Sequence, residues 1–309
     1  MERAVRNLTA QGLQSGILLY DRENPVLQTG LREALLLCDD GELLKELRGK
    51  GFYTVGCSHA FNESERFDGA AFVVQEPDLV DPDSYEKMYE RQAGLPWTIL
   101  RTPRCVVREF TVDDLDQIYS LYDGQARRFI TPPSEDRERE RDILRAYIDR
   151  IYPFYGFGYW AVTAGSGKAL SADGTKDSPE KEKYSLSLNG TTGLPAGDGE
   201  LIGRVGFAPL TARQEREAVE LGMRGYDERS SGFDADFGFL IRQDCRGLGI
   251  ASEVSRALLE YGFTELGFTC VRADARLENG ASLRLLRSLG FSCIGTRDKR
   301  QIFCLKRKA

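Results

Sequence analysis

The chain has 309 residues, 41% apolar and 29% charged, with a formal net charge of −6 at neutral pH. That length holds about two domains, the composition is that of a globular chain, and the acidic balance disfavours nucleic acid and suits a cationic substrate. No apolar run reaches the ~20 residues that cross a bilayer, the opening Met1–Leu8 has no apolar core behind its charges, and the seven scattered cysteines lack C-x-x-C spacing and read as reduced thiols of a cytoplasmic protein.

In chain order, an edge strand is expected at 14–20 and a buried strand at 34–38, ending in Asp39-Asp40-Gly41. A helix is expected over 42–50, with Leu43, Leu44 and Leu47 on one face and Gly51 as its stop. Strands at 52–56 and 69–74 and a helix at 81–90 complete a small Rossmann-like α/β domain over 1–95, its sheet mainly parallel. Acidic residues after a strand stand where such sheets place functional groups, yet Asp40 also precedes a helix and reads as its N-cap. His59 is the only histidine, in a polar loop without a Cys or His partner nearby, and reads as solvated. Metal sites built on histidine and Ser-His-Asp triads are thereby disfavoured, and the domain reads as an accessory module.

Gly94, Pro96 and Pro103 break both periodicities, which puts a linker at 96–104 and a second domain at 105–309. The phrase Leu100-Arg-Thr-Pro-Arg104-Cys-Val-Val-Arg108 opens it with a strand, and Thr111 caps a helix over 112–122. A helix over 134–151 carries Ile143, Leu144, Tyr147 and Ile151 as its apolar stripe, and a strand follows at 158–163. Tyr155, Phe157, Tyr159 and Trp160 read as core and pocket wall. A polar insertion at 164–199, with one short strand candidate at 184–188, precedes a strand at 200–207. A helical insertion at 209–233 leads to Asp234–Ile241, whose alternation marks a strand. Ser252–Phe263 is an amphipathic helix, and a strand at 270–277, a helix at 281–289 and strands at 293–295 and 301–305 end the chain.

Between the strand at 234–241 and the helix at 252–263 stand Gly247, Gly249 and Ala251. A glycine turn that opens a helix leaves N–H groups unpaired at the positive end of the helix dipole, and that arrangement binds phosphate. The Walker pattern fails for want of Gly-Lys-Ser/Thr, and the dinucleotide fingerprint fails because Gly247-Leu-Gly249 runs into Ile250-Ala251-Ser252. What remains, Arg246-Gly-Leu-Gly249-Ile-Ala251, resembles the R/Q-x-x-G-x-G/A signature of the GNAT superfamily of acetyl-CoA-dependent N-acetyltransferases. The phrase at 100–108 resembles the opening strand of the branch that includes the ribosomal-protein alanine acetyltransferases. Asn279 through Gly290-Phe291 is similar to the family's N-x-x-S/A…G-F segment.

The resemblance implies a GNAT fold, a mixed and mostly antiparallel central sheet flanked by helices, after the small α/β domain. It implies acetyl-CoA (coenzyme A) as cofactor, with backbone groups of Phe239, Leu240 and Ile241 holding pantetheine and polarising the thioester carbonyl. The N–H groups of Arg246, Gly247, Leu248, Gly249, Ile250 and Ala251 would take the pyrophosphate, the Arg246 side chain adding charge. Asn279 would bond the cofactor arm and Ser282 would sit near the pantetheine. Acetyl transfer also needs a base. Asp236 aligns with the acid that many members of the branch carry two positions before the central glycine, here Gly238, and Asp234 is the reserve. The tyrosine that many members carry seven residues after the motif asparagine is Leu286 here. Either Ser282, the nearest hydroxyl, protonates the thiolate, or a thiolate whose pKa is near ~8.5 leaves unassisted. The implied function is acetyl transfer to a primary amine: a protein N-terminus, an amino acid, a polyamine or another small-molecule amine. The alternative is a catalytically silent acyl-CoA-binding regulatory or scaffold protein. No membrane or nucleic-acid partner and no metal is expected, and a monomer and a homodimer fit equally.

Overall fold

A computed structural model describes residues 33–165, 199–221 and 234–307. The strands expected at 14–20 and 184–188, and residues 166–198 and 222–233 of the two insertions, lie outside the described residues. The chain divides into two compact units, Met1–Trp97 and Thr98–Ala309. No described helix is long and apolar enough to cross a membrane.

The first unit runs β1 (Leu35–Cys38), α1 (Gly41–Gly49), β2 (Tyr53–Ser58), β3 (Val73–Gln75) and α2 (Pro82–Ala93). Its sheet is parallel, in the order β1-β2-β3, over a core of Val55, Cys57 and Val74. Asp40 does cap α1, accepting the Leu43 N–H at 2.9 Å, and Asp81 caps α2 in the same way with Ser84. The acidic pair therefore divides its work: Asp39 faces His59, with Nε2 3.6 Å from Oδ2, and His59 Nδ1 accepts the Phe61 N–H at 3.2 Å. His59 is held at the C-terminal end of a parallel strand rather than standing free in solvent.

The second unit runs β4 (Thr98–Arg101), β5 (Cys105–Arg108), α3 (Leu115–Ser120), α4 (Arg137–Tyr155), β6 (Tyr159–Ala164), β7 (Leu201–Ala208), α5 (Ala212–Glu220), β8 (Ala235–Ile241), α6 (Ile250–Thr264), β9 (Cys270–Arg276), α7 (Gly280–Ser288), β10 (Ser292–Arg297) and β11 (Arg300–Lys306). The eight strands lie in the order β10-β11-β9-β8-β7-β6-β5-β4, antiparallel throughout except for β8 beside β9. The linker expected at 96–104 is corrected here. Thr98–Arg101 is the edge strand β4, because Ile99 and Leu100 pack against the core, and Pro103 sits in the hairpin turn that the Thr102 N–H closes onto the Cys105 carbonyl at 2.8 Å. A 3₁₀ turn over Val112–Asp114, with Thr111 and Asp114 as a capping box, leads into α3.

Alternation along the strands sorts the sheet into two faces. On one, Trp160, Val205, Phe207, Phe237 and Val271 pack against Ile250, Val254 and Leu258 of α6 and Leu283 and Leu286 of α7. Phe207 lies at the centre, its ring 5.0 Å from that of Phe268 and 5.6 Å from that of Phe237. Phe207→Ala should lower stability by about 3–5 kcal/mol, seen as a lower urea midpoint at unchanged slope. The other face aligns Tyr159, Gly206, Gly238 and, one register step on, Asp236 and Arg272. Ile118, Leu121 and Tyr122 cover its β6 side against Ala161 and Leu240, and Ala218 of α5 covers Cys270 and Cys304 at its β9–β11 side. Between these covers Gly206 and Gly238 pair, and the Tyr159 side chain lies across Gly238.

Candidate active site

The parallel strands at the centre of the sheet part company. Only Ala235 and Asp236 of β8 pair with β9, opposite Val271 and Arg272, while the other edge of β8 pairs with β7 as far as Ile241. Beyond Asp236 the β9-facing edge of Phe237–Ile241 has no strand partner, which opens a cleft between β8 and β9, and the Ile241 carbonyl accepts the Arg246 Nε–H.

Gly247 (φ 78°) and Gly249 (φ 80°) both adopt left-handed backbone, which costs an L side chain roughly 1–2 kcal/mol. α6 starts at Ile250 with no side chain capping it, so its first N–H groups face outward. The acid in its first turn, Glu253, does not neutralise that end. It is drawn to Arg104, which donates from Nε at 2.7 Å and from its backbone N–H at 3.1 Å and reaches the Leu248 carbonyl through Nη1 at 2.8 Å. Arg104 cancels Glu253 and fixes the loop, leaving the helix dipole for an outside anion.

Arg246 departs from expectation. Its backbone N–H donates to the Gln243 carbonyl at 3.2 Å. Its guanidinium donates to both Asp123 oxygens, at 2.9 and 3.2 Å, and to the Ile241 carbonyl at 2.8 Å. A guanidinium committed to a carboxylate ties the loop to the α3 side of the sheet rather than adding free charge, and the outward amides run from Gly247 through Leu248, Gly249 and Ile250 to Ala251. On the other lip of the cleft β9 leads into α7, whose N-cap is Asn279: its Oδ1 accepts the Ser282 N–H at 3.2 Å. The Asn279 amide nitrogen and the Ser282 hydroxyl make no hydrogen bond among the described residues. Leu286 is buried in the core.

Asp236 lies on the same face as Tyr159 with its side chain 19% exposed, 2.5 Å from Arg272 Nη1. Burial pushes its pKa up to about 6, against the pull of the Arg272 charge. Arg272 is 2% exposed and also meets Asp274 at 2.9 Å and Glu217 of α5 at 3.2 Å through Nη2. Asp234, the reserve base, is occupied elsewhere: its Oδ2 accepts the Thr269 N–H at 2.6 Å, the Thr269 hydroxyl at 2.9 Å and the Cys270 N–H at 2.8 Å. Its position one residue before β8 makes it a clamp for the turn into β9.

Of the four aromatic residues expected to form core and pocket wall, Trp160 is buried in the core, where Phe157 packs against it, and Tyr155 is exposed. Tyr159 faces the site. A Cβ placed on Gly238 would come within 2.5 Å of its hydroxyl, so glycine there is what lets the phenol lie across the strand. Burial raises the Tyr159 pKa, the Arg204 guanidinium stands 5.0 Å from its ring centre, and its hydroxyl has no hydrogen-bond partner among the described residues. Sequence reasoning had given Arg104, Asp123, Arg272 and Glu217 no role. Only Arg272 carries a usable signal, a charged residue inside the strand expected at 270–277.

Residues 104–292 match the family model described as Acetyltransferase (GNAT) domain. An uncharacterized N-acetyltransferase of Bacillus licheniformis, p20, is 39% identical over 194 residues, 62% of this chain and 81% of that protein. Similar solved structures include a GNAT-family acetyltransferase from Bacillus anthracis, at 15% identity, 67% of this chain, 97% of that chain and a TM-score of 0.44. Another is the ribosomal-protein-S5-alanine acetyltransferase from Vibrio fischeri, at 12% identity, 67% of this chain, 95% of that chain and a TM-score of 0.42. The family match spans the cleft, the glycine turn and Asp236, and this chain belongs to the GNAT acetyltransferase family.

Proposed function

We propose that this acetyltransferase moves the acetyl group of acetyl-CoA to a primary amine by direct attack in a ternary complex. The observation that carries the reading is a single cleft between β8 and β9 that joins unpaired strand backbone, an uncapped glycine helix start and a carboxylate of raised pKa. Acetyl-CoA supplies the activated acyl carbon as a thioester. The outward N–H groups of Gly247–Ala251 hold the pyrophosphate, and Asn279 and Ser282 hold the arm from the other lip. The free edge of Phe239–Ile241 supplies N–H groups to the carbonyl oxygen as charge develops there. Asp236 accepts a proton from the acceptor ammonium, which frees the nitrogen lone pair for attack. The opening phrase at 100–108 supports acceptors of the kind used by the ribosomal-protein alanine branch, an α-amine.

The departing sulfur needs a proton, and two hydroxyls are available. We assign the task to Tyr159, which lies over Gly238 beside Asp236, with Ser282 as a cofactor contact. Tyr159→Phe should lower kcat about tenfold at unchanged KM for acetyl-CoA, a modest effect because a thiol is a tolerable leaving group. Ser282→Ala should raise that KM and leave kcat within about twofold. The opposite pattern in steady-state kinetics would return the proton to Ser282.

Buried Leu286, where many relatives carry tyrosine, favours a second reading, an acyl-CoA binder without turnover. Bisubstrate kinetics test the first: intersecting double-reciprocal lines support direct attack, parallel lines would indicate a covalent intermediate, and absence of turnover would leave the binder.

A further inference from the structure

Tyr159 opens β6 and is held from several sides. Its backbone N–H donates to the Tyr147 hydroxyl at 2.6 Å, and its carbonyl accepts the Tyr152 hydroxyl at 2.6 Å. Both hydroxyls come from α4. Gly238 makes room for the ring edge, since a Cβ there would stand 3.0 Å from Cε1 and 3.1 Å from Cζ. The guanidinium of Arg204 lies 5.0 Å from the Tyr159 ring centre and 5.5 Å from that of Tyr122. Strand register explains the meeting. Arg204 pairs with Ala161 and Leu240, two residues before Gly206, which pairs with Tyr159, so the two side chains share a face. Arg204 is half-buried, and among the described residues it forms no ion pair and no hydrogen bond. Arg272 and Arg246 around the same site each meet a carboxylate. The two phenol rings are what Arg204 is placed against.

A cation within about 6 Å of an aromatic centre is attracted by the ring's negative face, and a planar guanidinium also stacks there. We propose that Arg204 is the positioning residue for Tyr159: stacked between Tyr122 and Tyr159, its guanidinium holds the phenol across Gly238. The charge also bears on the hydroxyl. Burial and the Asp236 carboxylate raise the Tyr159 pKa, Arg204 lowers it, and Tyr147 and Asp274 raise it further. Among these groups Arg204 alone favours release of the proton. As the carbon–sulfur bond breaks, sulfur takes the Tyr159 proton, and the proton shed by the nitrogen as the amide forms restores the phenol. The proton that Asp236 took from the ammonium leaves to water. The effect on rate rests on the assignment of the sulfur's proton to Tyr159; the placement of the ring does not.

The test uses the full chain. Arg204→Met keeps an unbranched stem, removes the charge and leaves no carboxylate unpaired, and a thermal melt checks the fold. Its kcat should fall about fivefold, the scale of a cation–π contact, at unchanged KM for acetyl-CoA and for the amine. Arg204→Lys keeps the charge but not the planar stack, so its kcat should lie between the two. In a Tyr159→Phe background, Arg204→Met should cost less than about twofold more, because a residue that acts through Tyr159 has nothing left to act on. A full effect in that background, or a raised KM for the amine, would make Arg204 a fold or acceptor residue and overturn the proposal. A second readout does not depend on turnover. Protein labelled with ¹³C at tyrosine Cζ gives one signal per tyrosine, and the signal missing from Tyr159→Phe belongs to Tyr159. Arg204→Met should move that signal, and an unmoved signal overturns the positioning role. A moved signal together with unchanged kcat in Tyr159→Phe keeps the positioning role and overturns instead the assignment of the proton to Tyr159.

Discussion

Asp236→Asn is expected to lower kcat/KM by about 10²- to 10⁴-fold, the range of a positioned general base, while affinity for acetyl-CoA stays unchanged. The substitution keeps shape and removes charge. Arg272 retains Asp274 and Glu217 as partners, so the buried cation is not orphaned and the fold survives. The pH profile gives the sharper evidence. Desolvation raises the Asp236 pKa to about 6, and only the carboxylate form accepts a proton. kcat/KM of the parent protein should therefore climb as pH rises through about 6 and fall away below it. In the asparagine variant that limb should vanish, leaving the limb set by the acceptor amine. A limb near pH 6 that persists in the variant would assign it to another group.

Gly249→Trp should weaken acetyl-CoA binding by at least about a hundredfold, or roughly 2.7 kcal/mol. The residue adopts φ 80°, and a Cβ there would stand 3.5 Å from Arg104 Nη2. An indole would lie directly over the first amides of α6, where the phosphates need close approach to backbone. Gly247→Ala is the companion measurement: with φ 78° and nothing within 4 Å of an added Cβ, it carries backbone strain without blockage, and its loss of affinity should be much smaller. Calorimetry reads both, and a thermal melt separates loss of binding from loss of fold.

What the sequence showed of this site was local. Gly247, Gly249 and the helix after them form one short phrase, and the left-handed backbone and uncapped helix start follow from it. Asp236 and Gly238 share a face because the period of a strand is two residues. What it did not show was who answers whom at long range. Arg246 reads as a phosphate ligand until Asp123, 123 positions away, takes its guanidinium. Glu253 stands in the first turn of α6, and Arg104, 149 positions away, takes it. Charged side chains leave no periodic trace of their partners, so such pairs emerge only once the strands are in register. Tyr159 was visible as an aromatic but not as a hydroxyl over the cleft, since that depends on β6, β7 and β8 lying side by side. The Pro103 turn misled for a related reason, because a proline that ends a periodicity marks a hairpin as readily as a linker.

The most direct measurement is acetyl-CoA titration of the full chain by calorimetry, followed by thiol release in the presence of primary amines. The structure predicts saturable binding that Gly249→Trp removes, and release of coenzyme A that depends on both amine and Asp236. Binding without release on any amine would make the chain a silent acyl-CoA binder, and no binding at all would contradict the assignment of the cleft.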